Sequence, residues 1–303
     1  MEGMNPTAIR DQTIAKHGAW TTLNWELAPG VFTIGPSVTM SQEVHVRCLT
    51  QLISDLGRKP IDQMRIADLA SLEGVYSVEF ALQGASVLGI EGRQGNIEKS
   101  LVVKRSLNLA NLDFVQDDVR NLSRKKYGAF DVVVCAGILY HLDAPDVFSF
   151  IESIYEVCDG FAIIDTHIAF KNEVRTEYKG KEYWGIKYPE HSPESTMEQR
   201  ERSTYASLDN VFSYWLTKES LVNALSDIGF TSVVECAWPS RPHDYADRVF
   251  LVAYKGKPVA SKMFGGAKQA ERYPAIPQRP YSPFQKVDLK TRVRNKLRKV
   301  FHS

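Results

Sequence analysis

Five apolar stretches of this 303-residue chain end on groups able to bind a ligand or move a proton. "RIADLASLEG" places Asp68 before a turn of small residues, Ala70 and Ser71, with Gly74 closing it. "SVLGIEG" ends on Glu91 and Gly92, and "LDFVQDD" ends on Asp117 and Asp118. "DVVVCAGILYHL" carries Ala136, Gly137, Tyr140 and His141, and "FAIIDTH" carries Asp165 and His167. Carboxylates in such places accept hydrogen bonds from ligand hydroxyls and amines, and a histidine takes or orients a proton near neutral pH. A lone acid at a strand end also serves as a helix cap, so each residue has an ordinary alternative. Five consecutive ends of this kind favour a shared site.

The elements that must carry these groups are legible from periodicity. From Arg65 to about Tyr254, short runs rich in Val and Ile alternate with longer segments of helical spacing, as strands buried on both faces and joined by crossover helices do. The last two runs, "SVVECAW" and "RVFLVAY", are separated only by "PSRPHDYAD", too short for a crossover helix, so they are expected to pair antiparallel. The fold class is therefore α/β, a Rossmann-like, doubly wound, seven-stranded sheet, mostly parallel with one reversed strand. Residues 1–60 read as an N-terminal cap over the sheet's carboxyl edge or an edge helix, 61–255 as the main domain, and 256–303 as a Pro-containing basic tail. Within the main domain, the polar, aromatic-dotted segment 170–210 reads as a lid. Ligands of such sheets bind beyond the carboxyl ends of the strands.

Composition narrows the class further. Hydrophobic content of 44% and charged content of 24% are those of an ordinary globular protein, and the net charge of +1 gives no overall field for nucleic acid. Cys48, Cys135, Cys158 and Cys236 lack metal-binding spacing and read as thiols of a reducing compartment, which with the absence of a signal-like or spanning stretch points to a cytoplasmic protein. In residues 286–303, Leu289, Val293, Leu297 and Val300 share one helical face while seven Lys or Arg surround a single Asp288. Such a helix can lie on an anionic membrane surface, grip an acidic protein partner, neutralise RNA phosphates, or dock on its own domain; membrane or partner contact is favoured over RNA, since no basic stripe continues into the domain.

The first turn raises a steric question. Glycine lets a backbone approach a ligand most closely, and a dinucleotide pyrophosphate wants G-x-G-x-x-G at a helix amino terminus. "DLASLEG" has neither that pattern nor that space, which excludes a nicotinamide oxidoreductase of the usual kind. A ligand without phosphates tolerates the bulkier Leu72. Glu91, at the next strand's end, is placed to accept both hydroxyls of a ribose.

These motifs resemble the core of class I S-adenosylmethionine-dependent methyltransferases, whose first motif reads D-x-G-x-G-x-G. Asp68 matches its acidic start, Ala70 and Leu72 stand at two of its glycines, and Gly74 keeps the third. Glu91 matches the family's ribose-binding acid. "FVQDDV" matches the third-strand motif, which implies Asp118 at the adenine amino group and Val119 beside the ring. "FDVVVCAGILYHLDAP" resembles the fourth-strand motif. Within the family, "GILYHLDAPDVFSFI" followed by "YWLTKESLVNALSDIGFTSVVEC" is similar to the tRNA wobble-uridine carboxymethyltransferase-like branch. The resemblance covers residues 60–255 and implies S-adenosyl-L-methionine as cofactor, held by Asp68, Ala70, Ser71, Gly74, Tyr76, Glu91, Gly92, Asp117, Asp118, Val119, Ala136 and Gly137. Tyr76 has core packing as its alternative. The implied reaction is methyl transfer to an oxygen or nitrogen of a small-molecule or glycan acceptor. RNA as acceptor, or a non-catalytic adenosine-binding scaffold, are the alternatives.

Transfer from a sulfonium mainly requires alignment of donor and acceptor, with a base only where the acceptor must lose a proton. His141, with Tyr140 beside it, is the expected base or acceptor-orienting group; the alternative is that the pair packs over the cofactor. Asp165 and His167 are further candidates. His141, Asp165, His167, Glu190 and His191 show no recognisable metal-ligand spacing, and no metal is expected. Tyr178, Tyr183, Trp184 and Tyr188 either wall a ring-shaped acceptor or seat the lid.

Overall fold

A computed structural model describes residues 5–36, 38, 42–237 and 246–258 of the chain. The tail beyond 258, with its basic amphipathic pattern, lies outside the described residues. Helix α1 (Pro6–His17) leads into a small hairpin, β1 (Glu26–Ala28) and β2 (Val31–Phe32), and then α2 (Gln42–Leu56). The alternating core follows as β3 (Arg65–Leu69), α3 (Val75–Leu82), β4 (Ser86–Glu91), α4 (Gln94–Ser106), β5 (Leu112–Gln116), α5 (Arg124–Tyr127), β6 (Phe130–Ala136), α6 (Asp146–Val157) and β7 (Cys158–His167). The lid segment contributes β8 (Val174–Tyr178), β9 (Lys181–Pro189) and α7 (Met197–Arg202). The chain returns through β10 (Phe212–Leu216), α8 (Lys218–Ile228), β11 (Ser232–Glu235) and β12 (Arg248–Tyr254).

The main sheet has seven strands in the order β11-β12-β7-β6-β3-β4-β5. Strands β3 to β7 pair in parallel, and β12 lies antiparallel between β7 and β11, so β12 is the single reversed strand. Side chains alternate between two cores, as a pleated strand demands. Val132, Val134 and Ile163 face the layer that contains Phe80 and Leu49. Val133, Cys135 and Ile164 face the layer that contains Phe148, Ile151 and Leu225. Being apolar on both faces is what made these strands readable as continuous runs.

The N-terminal segment packs α1 against α4, where Lys16 and His17 both meet Glu98, and α2 against α3. The lid is more ordered than its polar sequence suggests: β8 and β9 form a hairpin, and β9 also pairs with β10 to give a separate three-stranded sheet. Its tight turn holds Lys179 and Gly180 at φ 49° and 77°, the doubly left-handed backbone that suits a two-residue hairpin turn. Strand order reverses between β3 and β6, and that crevice is where doubly wound sheets bind ligands.

Candidate active site

A cavity of about 220 Å³ opens over this crevice, against the roughly 10–15 Å³ that one water needs. Its floor comes from four adjacent strands: Ala70, Ser71 and Leu72 after β3, Glu91 and Gly92 after β4, Asp117, Asp118 and Val119 after β5, and Ala136, Gly137, Tyr140 and His141 after β6. Tyr76 and Val75 enter from α3, and the far wall is the lid stretch 204–210.

The first turn answers the steric question raised by its missing glycines. Ala70 and Leu72 adopt φ of 54° and 48°, the left-handed backbone that glycine takes without cost. The turn therefore keeps the conformation of its glycine counterparts although two of the residues carry side chains. The Leu72 N–H donates to Glu91 Oε2 at 2.9 Å, and the Ser71 N–H donates to the Ile90 carbonyl at 3.1 Å, so β4 holds the turn in place. The Ser71 hydroxyl is buried and has no hydrogen-bond partner among the described residues. A buried hydroxyl in that state costs free energy that a ligand in the cavity would relieve.

Glu91 is almost wholly buried and already occupied in part. Its Oε1 accepts from the Arg93 N–H at 2.8 Å and from Asn96 Nδ2 at 3.3 Å, while Oε2 accepts from Leu72. A carboxylate has about four acceptor positions, so one further hydrogen bond, on Oε2, is open to a ligand hydroxyl. Asp118 lines the cavity, and the Arg120 side chain and N–H engage both of its oxygens at 2.5–3.0 Å. Asp117 lines the cavity with its carboxylate tied to Asn121, Lys126 and Tyr127.

Asp68, Gly74, Asp165 and His167, all expected in the site, stand outside the cavity lining. Asp68 accepts from the Ser77 N–H at 3.0 Å and the Ser77 hydroxyl at 2.6 Å, anchoring the first turn of α3. Burial pushes the Asp68 carboxyl up to about 7, against the opposing pull of those two bonds. Gly74 is needed for packing: at φ 80°, a Cβ there would come within 2.8 Å of the Phe114 ring. His167 bonds Asp247 at 3.0 Å through Nδ1 and stacks on Trp215, behind Tyr140.

His141 is the histidine that reaches the cavity. Its Nδ1 lies 3.0 and 2.9 Å from the two oxygens of Glu190, at the end of β9. Burial works against the Glu190 carboxylate, yet the hydrogen bonds from His141 and from the Ser207 N–H hold its pKa below the ordinary value. Asp165 pairs with Arg248 in a bidentate fork, Nε to Oδ1 at 2.6 Å and Nη2 to Oδ2 at 2.9 Å. Burial pulls the Arg248 pKa down, and Asp165 with Tyr140 and Tyr76 carries it above the usual range, so Arg248 faces the cavity charged. His191 bonds the Ser207 carbonyl. These separate pairings divide up the candidate metal ligands, and among the described residues no cluster of three or more His, Cys, Asp or Glu is placed to hold a metal ion.

The lid aromatics seat the lid. Tyr178 packs on Phe148 and donates to Glu152, Tyr183 donates to Asp227, and Tyr188 stacks on Trp215 at 4.0 Å. None of them, nor Trp184, lines the cavity.

Several lining residues carry no signal that the sequence reading used. Arg93 donates to the carbonyls of Glu201, Ser203, Ala206 and Ser207, and Arg120 reaches Asp209 at 2.6 Å, so two arginines clasp the lid edge. Each directly follows a motif that was read, two residues after Glu91 and Asp118. Arg248 begins the reversed strand, whose amino end must lie at the carboxyl edge of its parallel neighbours. Thr22 comes from the N-terminal segment, held by Glu73, which accepts from the N–H groups of Thr21 and Thr22 and pairs with Lys99 at 2.9 Å in a buried ion pair. The Tyr205 hydroxyl donates to Thr21 at 2.8 Å, closing lid and N-terminal segment over the cavity.

Residues 66–159 match the family model of a methyltransferase domain. Over 106 residues the chain is 24% identical to the ubiquinone biosynthesis O-methyltransferase of Acinetobacter baumannii (strain AYE), covering 35% of this chain and 42% of that protein. The chain thus matches less than half the length of this curated relative. Among solved structures, the N-terminal domain of EvdMO1 with SAH bound superposes with a TM-score of 0.64 at 22% identity, over 84% of this chain and 98% of that one. The same domain determined in the presence of SAH and D-fucose gives 0.63. These likenesses show the fold, a seven-stranded Rossmann-like methyltransferase architecture. No helix among the described residues is long and apolar enough to cross a membrane.

Proposed function

We propose that this chain is an S-adenosylmethionine-dependent methyltransferase acting on an oxygen or nitrogen of a small-molecule or glycan acceptor. The observation that carries this reading is one cavity, across the carboxyl ends of four adjacent strands, that brings the unpartnered Ser71 hydroxyl, the open position of Glu91 and the ring of His141 together. The residues fit the cofactor: Ser71 and Glu91 offer a hydroxyl and a carboxylate to a ribose, Val119 an apolar surface to an adenine, and Gly137 a small residue beside Arg248 and Tyr140. When bound, the cofactor supplies an electrophilic methyl group. His141 takes the proton that a hydroxyl or amine acceptor must lose, and Tyr140 and the lid wall orient that acceptor. The roof made by Thr22 and Tyr205 suits an acceptor small enough to be enclosed, and enclosure excludes water from the transfer.

The resemblance to the tRNA wobble-uridine branch supports an RNA acceptor as the alternative. Calorimetry with S-adenosylmethionine and with NAD separates the leading reading from an oxidoreductase: binding of the former alone is expected. Incubation with a radiolabelled methyl donor and fractionated small-molecule, RNA and lipid extracts then identifies the acceptor class. Label in the small-molecule fraction is expected; label in RNA would replace this reading with the alternative, and binding without transfer to any fraction would favour a scaffold.

A further inference from the structure

We propose that Glu190 is the positioning residue for His141, and that seating the lid is what assembles the base. This rests on His141 acting as the base in the reading above. An ionised carboxylate only accepts hydrogen bonds, so the Nδ1 facing Glu190 must carry the ring proton, and the lone pair is then on Nε2. The lone pair on Nε2 would receive the proton of the acceptor as the acceptor's oxygen or nitrogen bonds to the methyl carbon and the methyl–sulfur bond of the donor breaks, its electron pair staying on the departing neutral thioether, and the resulting imidazolium is balanced by the Glu190 charge. The His141 backbone is fixed from the same side, since its carbonyl accepts from Asn210 Nδ2 at 3.1 Å.

Glu190 is not part of the sheet that supports His141. It sits where β9 ends, and its Oε2 also accepts from the Ser207 N–H at 3.0 Å. The Ser207 carbonyl in turn accepts from Arg93 at 3.3 Å, and the Arg93 N–H donates to Glu91. A continuous line of hydrogen bonds therefore runs from the carboxylate expected to meet the cofactor's ribose, through Arg93 and Ser207, to Glu190 and His141. If the 204–210 stretch leaves its place, Glu190 loses the Ser207 N–H and His141 loses its Asn210 contact. The base is thus complete only with the lid seated, which ties proton removal to an enclosed acceptor.

The test uses the full chain with ¹⁵N-labelled histidine. At neutral pH the His141 ring of the wild type is expected as a single tautomer, Nδ1 protonated and Nε2 bare; a wild-type ring protonated at Nε2, or mixed, overturns the proposal without any variant. In Glu190→Gln, whose amide can also donate to Nδ1, the ring is expected to become a mixture, and an unchanged tautomer overturns the proposal. In transfer of labelled methyl to the small-molecule fraction, Glu190→Gln is expected to lower kcat by roughly tenfold or more with KM and cofactor affinity within about twofold. The double variant with His141→Ala is expected to be no slower than His141→Ala alone, because Glu190 acts through the ring. Equal kcat in Glu190→Gln, or additive losses, would sink the proposal. Should the wild type transfer no methyl, the function proposed above fails, while the tautomer measurement still decides the role of Glu190.

Discussion

The cavity has two walls built on different physical principles. The sheet wall is made of strand ends whose turns are bonded to their neighbours: Leu72 to Glu91, Ser71 to Ile90, Asp117 to the Glu91 carbonyl. Its turns cannot shift without breaking these bonds. The lid wall, residues 204–210, has no such ladder and is held by arginine side chains that donate to its carbonyls and to Asp209. Fixed donors and acceptors suit a constant ligand such as a nucleoside; a clasped loop suits the part of the site that must admit and release an acceptor. The contrast teaches that cofactor affinity and acceptor handling should respond to different substitutions.

The largest expected effect comes from breaking the sheet wall. Glu91→Gln places an amide donor among the Leu72, Arg93 and Asn96 donors and removes the charge offered to the ribose. Affinity for S-adenosylmethionine, measured by calorimetry, is expected to fall about a hundredfold, since hydrogen bonds to charged groups contribute about 1.5–3 kcal/mol. Arg93→Met breaks the lid wall while keeping the apolar stem. It is expected to raise KM for the acceptor roughly tenfold and to speed proteolysis within 190–210, with cofactor affinity changed less than about threefold. A loss of cofactor affinity equal to that of Glu91→Gln would erase the distinction between the walls.

The smallest effect sharpens the account of the sheet wall itself. With a folded pKa of about 7 against an ordinary 3.8, Asp68 keeps a proton in the native state that the unfolded chain has already released. Its contribution to stability is greatest below about pH 4 and declines as pH rises through about 7. Asn at this position cannot titrate, so the difference in urea midpoint between wild type and Asp68→Asn is expected to move in favour of the variant from pH 4 to 7. A difference that stays level would show that Asp68 is ionised throughout.

What could be read in the sequence follows from how far apart the interacting groups lie. Strands buried on both faces are written as runs such as "DVVVCAG", and the short link before β12 dictates its reversed direction, so the sheet was legible to the strand. Ala70, Ser71, Glu91, Val119 and His141 reach the cavity because the end of a parallel strand is a fixed address in this fold. Asp68 and Gly74 share that address yet serve packing, since whether a side chain turns to the ligand or to the next helix depends on Ser77 and Phe114, neighbours that no local pattern announces. The lid wall was the least legible part. Glu190 stands 49 residues from His141 and Arg93 stands 114 from Ser207, and in a polar segment without periodicity nothing marks which residue folds back.

The Glu73–Lys99 pair gives the N-terminal segment a character unlike that of the lid. Both charges are buried, Glu73 accepts from the backbone of Thr21 and Thr22, and Lys99 donates to the Ala19 carbonyl, so lifting that segment would strip the pair of hydrogen bonds to charged groups that contribute about 1.5–3 kcal/mol each. The segment behaves as a door jamb: traffic into the crevice must swing on the opposite side, past Tyr205, whose hydroxyl contact with Thr21 latches the lid to the jamb.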